Sequence, residues 1–275
     1  MNSSAATSSV GGHVSGFAAT RRSDGWWHGW ALTAGGLILF FGYLTVRAMT
    51  GQYYWADPYI SPVASPPLFT PVSGPGVVPL HHAWFGAFPK FWPRFLPQSP
   101  AFFIPGLAIA FRATCYYYRK AYYRAFAASP PACAVGGAPL KYRGETALLL
   151  FQNLHRYVLY GALFLLVFLW YDAFAAFFRH GKFGIGVGTL VLIINATLLS
   201  GYTFGCHSWR HLIGGKLNCF SCDGASKTRY KIWKKSTWLN ERHMLFAWLS
   251  LFWVAFTDFY VMMVSRGAIT DLHTW

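Results

Sequence analysis

The chain has 275 residues, of which 55 % are hydrophobic, 20 % aromatic and only 11 % charged. Soluble domains carry about 25 % charged residues, so this composition, with its positive mean hydropathy, excludes an ordinary soluble domain and points to an integral membrane protein. A net charge of +15 would suit a nucleic-acid partner, but the basic residues lie between long apolar runs and no recognition motif accompanies them.

Residues 1–24 are rich in Ser, Ala, Gly and Thr and lack the apolar core and cleavage site of a signal peptide. They read as an N-terminal tail. A membrane-spanning helix needs about 20 mostly apolar residues, and residues 25–265 supply five such stretches. The first covers 26–49, with Trp at its leading edge, as an interface favours. Residues 51–100 follow, and they hold eleven of the fifteen prolines. Proline removes a backbone donor and stops helices, so this segment reads as an outer, extramembrane loop. The second span is expected over about 101–126, the third over 145–178, the fourth over 183–212 and the fifth over 242–265. Residues 266–275 form a C-terminal tail. The fold class is therefore an all-α integral membrane protein, a bundle of five transmembrane helices.

Five crossings put the termini on opposite sides. Counted with the span ends that adjoin them, the N-terminal tail and the loops after the second and fourth spans hold fifteen Lys and Arg residues, against six on the other side. Basic loops stay inside, so the N-terminus is expected in the cytoplasm and the C-terminal tail outside. The basic loop 206–241 is then cytoplasmic.

That loop begins with the densest chemistry in the chain. "FGCHSWRHLIGGKLNCFSC", from Phe204 to Cys222, holds three of the five cysteines and two of the ten histidines. His207 and His211 are four apart, so on a helix their rings share one face. Gly214 and Gly215 can end that helix, and Cys219 and Cys222 form a C-x-x-C turn that brings two sulfurs to one metal. Two nitrogens and two sulfurs suit a structural zinc or a Rieske-type [2Fe–2S] centre, where two His replace two Cys on one iron. Cys206 is a substitute ligand, and its pairing with His211 stays open beside the His–His and Cys–Cys pairing.

Polar residues inside spans are costly and mark function. Gln152, Asn153, His155 and Arg156 lie in the inner half of the third span, and Arg112 lies in the second. A quinone head group needs hydrogen-bond donors within an aromatic, apolar wall. Arg112, His155, Arg156 and Trp209 are the candidate quinone contacts. His155 with His207, His211 or His243 could instead hold a b-type haem. Asp172 and Asp258 stand in the outer half, as structural hydrogen-bond partners or as a proton path.

The stretches "TCYYYRKAYYRAF", "SPPACAVG", "LHRYVLY" and "CHSWRHLIGGKLNCFSC" resemble the membrane-anchor subunit of actinobacterial, mycobacterial-type succinate dehydrogenases over residues 100 to 265. The resemblance implies a five-helix anchor that docks an iron–sulfur subunit and a flavoprotein subunit on the cytoplasmic face and passes electrons to menaquinone or a similar quinone. An extra small membrane subunit is compatible with it. One haem-free branch of the family carries a Rieske-type [2Fe–2S] cluster in the anchor, and the matching residues are His207, His211, Cys219 and Cys222, with Cys206 as substitute. Succinate oxidation itself belongs to another chain, because no dinucleotide fingerprint is present here.

Overall fold

The computed structural model describes residues 16–138 and 146–275. The beginning of the expected tail, the loop residues Lys141, Arg143 and Glu145, and the side chain of Gln152 lie outside the described residues. The α-helices are α1 (Trp27–Thr50), α2 (Ile104–Ala113), α3 (Tyr116–Phe126), α4 (Thr146–Ala175), α5 (Val187–Phe204), α6 (His207–Gly214), α7 (Gly224–Glu241) and α8 (His243–Ser265). Among the described residues, four helices are long and apolar enough to cross a membrane: α1, α4, α5 and α8. Leu, Phe, Val and Ala dominate all four, and their exposed faces carry Leu32, Val46, Val167, Leu190 and Phe252, the side chains that lipid would cover.

The second expected span is not one long helix. It is a short apolar stretch, Pro100–Ala113, then α3. The break sits at Thr114 and Cys115. Thr114 Oγ1 donates back to the Ala110 carbonyl at 2.8 Å, and α3 carries Arg119, Lys120 and Arg124, too many cations for a lipid-facing segment. Fourteen residues at 1.5 Å each give roughly 21 Å, less than the hydrocarbon thickness of about 30 Å. The fourth expected span also divides. α5 ends at Phe204, and α6 begins afresh after Gly205, whose Cβ position would stand 3.0 Å from the Leu239 carbonyl oxygen.

The chain forms two compact units. Residues 1–38 and 116–145 make the first. There the Ala18 amide donates to the Gly136 carbonyl and the Gly136 amide to Ala19, while Trp30 Nε1 donates to the Ala125 carbonyl at 3.1 Å. Residues 39–115 and 146–275 make the second, where α5 packs on α4 and α8. Its core gathers Tyr59, Ala173, Ala176, Leu192, Ala196 and Val261. Small residues at these crossings let helix backbones approach where lipid offers no hydrophobic drive. Between α4 and α5 a hairpin of β3 (Phe178–Arg179) and β4 (Lys182–Phe183) turns at His180 and Gly181, both with positive φ, the two-residue turn that matches strand twist.

The Pro-rich segment is more than an outer loop. It forms a hairpin of β1 (Trp55–Ala56) and β2 (Tyr59–Ile60), and residues 59–67 are buried against the helices of the second unit. Irregular backbone is tolerated at membrane depth only where protein buries it, and polar anchors hold it. Ser61 Oγ donates to Asp258 at 2.5 Å, Ser65 donates to Asp172, and Tyr59 donates to Asp271 at 2.6 Å. Asp258 also pairs with Arg47 at 2.6 Å, with both side chains at most 2 % exposed, and accepts from Tyr43 at 2.5 Å. Asp258 is thereby a structural tie between α1, α8 and the loop.

Candidate redox and quinone site

The end of α2, the first turns of α4, the α5–α6 junction and the start of α8 meet in the second unit. Here the structure assembles a donor set that the sequence spreads over 128 positions. His155 on α4 is buried, and its Nε2 lies 2.9 Å from the Sγ of Cys206, the N-cap residue of α6. That is the length of a hydrogen bond to the smaller oxygen atom. His155 Nδ1 lies 2.9 Å from Thr114 Oγ1, so the hydroxyl fixes the ring. Beside Thr114, buried Cys115 places its Sγ 3.6 Å from Nε2 of His243, the first residue of α8. His243 Nδ1 is buried and has no hydrogen-bond partner among the described residues.

The two pairs are neighbours. Burial, and then the charge of Cys115, push the Cys206 thiol up to about 12. The imidazoles of His155 and His243 also lie within electrostatic reach of each other. An aromatic frame joins them. Phe111 stacks on His155 at 4.6 Å, Tyr202 stacks on His243 at 4.9 Å, and Phe111 meets Tyr202 edge-on at 5.5 Å.

Phe111 and Tyr202 also line an open cleft. Its wall is mostly apolar, with Leu44, Ile109, Leu165, Leu166 and Val254. Among the described residues Arg112 is the one charged side chain on that wall, and Ser65, Tyr202 and Thr203 are its other polar side chains. The Arg112 guanidinium donates to the Ala247 carbonyl at 3.1 Å and to Ser250 Oγ at 2.9 Å. It also lies 4.7 Å over the Tyr202 ring. An apolar cleft with a few convergent polar groups suits a planar ligand with a greasy tail.

The structure redistributes the residues expected from sequence. Arg112 is on the cleft wall, while His155 is behind it, against Cys206. Arg156 is exposed on α4. Trp209 is spent on α7, donating to Ser236 Oγ at 3.0 Å. His207 and His211 meet on an exposed face of α6, with Nε2 atoms 3.0 Å apart. Partial burial, then the charges of His211 and Arg210, hold His207 below the ordinary imidazole value. Cys219 and Cys222 are joined in a disulfide. Among the described residues no three His, Cys, Asp or Glu side chains converge as a single metal ion requires. The His207–His211 pair and the Cys219–Cys222 disulfide are thus not gathered around one point among the described residues, and Cys206, the substitute, is buried. Cys115 is the residue that sequence reasoning passed over, and His243 entered only as a haem ligand. The available signal was that each is a soft ligand atom at the edge of an apolar segment.

The family profile for actinobacterial succinate dehydrogenase subunit SdhC matches residues 29–267. The chain belongs to that family. It is the membrane anchor subunit of a succinate dehydrogenase, a succinate:quinone oxidoreductase, and a multi-pass membrane protein. A chain of the Mycobacterium smegmatis Sdh1 complex in the apo form is 43 % identical to this anchor, with a TM-score of 0.80 over 93 % of this chain and 94 % of that one. No curated protein sequence matches it.

Proposed function

We propose that this anchor docks the iron–sulfur and flavoprotein subunits on its cytoplasmic face and passes their electrons to a quinone, menaquinone by family resemblance, held in the Arg112 cleft. The N-terminus and the basic loops face the cytoplasm, and the short α2 segment serves as a fifth, incomplete crossing covered by its neighbours. The imbalance of basic residues supports the orientation. One observation carries the reading: Phe111 and Tyr202 line the cleft and also stack on the two donor imidazoles. A redox group behind that wall would stand one aromatic layer from the quinone.

The residues that suit such a group are Cys115, Cys206, His155 and His243. A [2Fe–2S] centre of Rieske type would divide its donors between two irons, two Cys on one and two His on the other. It asks for four donors around two irons rather than one convergent shell, and each Cys–His pair here offers one donor to each iron. When bound, it supplies a one-electron carrier whose potential the histidines raise. Thr114 orients His155, the aromatic frame excludes water, and Arg112 offers cationic N–H groups to a quinone carbonyl. A b-type haem fits less well. It needs two axial nitrogens facing each other, whereas the Nε2 atoms of His155 and His243 each abut a thiol.

Arg112→Leu tests the quinone site. A hydrogen bond to a charged group is worth about 1.5–3 kcal/mol, so quinone reduction should fall roughly 10- to 150-fold in kcat/KM while succinate oxidation by a soluble dye is kept. Equal loss of both activities, or no loss of either, refutes the assignment.

A further inference from the structure

The quinone cleft and the donor set behind it leave one feature of α6 unused. His207 and His211 stand one helical turn apart, both exposed, with rings 81° to each other and Nε2 atoms 3.0 Å apart. Two imidazoles at this spacing chelate one ion. We propose that they form a surface site for a divalent transition-metal ion of tetragonal preference, Cu²⁺ or Ni²⁺.

The ligand type sets the class of ion: imidazole nitrogens suit Cu²⁺ and Ni²⁺, and Cu²⁺ stands highest in the general order of divalent affinity, above Zn²⁺. The two ring nitrogens are already close enough for one ion to reach both. No third protein donor converges there among the described residues, so water completes the shell. Nearby Arg210 does not compete for the position. Its guanidinium is engaged over the Trp233 ring at 4.7 Å and with Asn240 at 3.2 Å. A bound ion would also staple the first turns of α6, directly after Cys206.

The test uses the purified succinate dehydrogenase complex, washed with a chelator and titrated with Cu²⁺. The wild-type complex should bind one Cu²⁺ per anchor more tightly than His207→Gln or His211→Gln, by at least tenfold. The electron paramagnetic resonance spectrum should show two equatorial nitrogens, and amide exchange in α6 should slow on binding. Equal uptake by wild type and both variants, or no such spectrum in the wild-type complex, overturns the proposal. Iron content separates this result from the reading above. Both variants should keep their iron, and loss of iron with either one would instead overturn the donor assignment at Cys115, Cys206, His155 and His243.

Discussion

Replacing Arg47 by Leu should unseat the Pro-rich loop. Arg47 is 2 % exposed and Asp258 is fully buried, and their 2.6 Å ion pair sits in the interior of the second unit. The guanidinium also donates to the carbonyls of Gln52 at 3.0 Å and Tyr53 at 3.2 Å, which fixes the chain as it leaves α1. Removing one partner of a buried pair costs about 3–5 kcal/mol, because the remaining charge is stranded, whereas replacing both by apolar groups is often nearly neutral. Arg47→Leu should therefore be destabilised by about 3–5 kcal/mol. The double variant Arg47→Leu/Asp258→Leu should recover most of that and keep only the loss of about 1–3 kcal/mol from the orphaned Tyr43 and Ser61 hydroxyls and loop carbonyls. Thermal melting of the detergent-solubilised complex, run as a double-mutant cycle, measures the coupling. A single variant within about 1 kcal/mol of wild type, or a double variant as unstable as the single, would refute the claim that this pair holds loop to bundle.

Two further changes probe the hairpin of α6 and α7. Gly205→Ala should loosen the α5–α6 junction, since its Cβ would press on the Leu239 carbonyl oxygen at 3.0 Å and the Gly201 carbonyl oxygen at 2.8 Å, backbone atoms that cannot swing away. The expected readout is a lower melting temperature and faster exchange in α6, and unchanged values would contradict it. Asp223 caps α7 by accepting from the Ser226 amide at 2.7 Å and hydroxyl at 2.8 Å, and those bonds hold its carboxyl below the usual carboxylate value. The depressed value means the cap is in place above the ordinary carboxylate range and is lost as pH falls through the folded-state value. The protection factor of the Ser226 amide, the intrinsic exchange rate over the observed one at the same pH, should fall in acid, and Asp223→Ala should show that low protection at every pH. A pH profile identical in the variant would sink the capping argument.

The four long helices were legible because each is one long, predominantly apolar run, as in "LFLLVFLWY" of α4 or "VLIINATLL" of α5. The break after α2 was not, since Thr114 and Cys115 are locally compatible with a helix and tertiary contacts of both side chains join the local Thr114–Ala110 bond in holding the kink. Asp258 could be noticed in the sequence but not interpreted, because its partners Arg47, Tyr43 and Ser61 lie about 200 positions away. The donor set shows the same limit. Cys219 and Cys222 drew attention by being three apart, and that closeness let them bond to each other. Cys115 and His243 are 128 positions apart and meet only when α2 and α8 pack. Arg112 was readable from cost alone, as a cation in an apolar segment.

The decisive measurement is iron content together with electron paramagnetic resonance of the reduced complex, compared across four variants. Cys115→Ser and His243→Ala should each lose the Rieske-type signal and the iron of one two-iron centre, while Cys219→Ser and His211→Ala keep both. Retention of signal and iron in the first two variants, or their loss in the last two, would contradict the account.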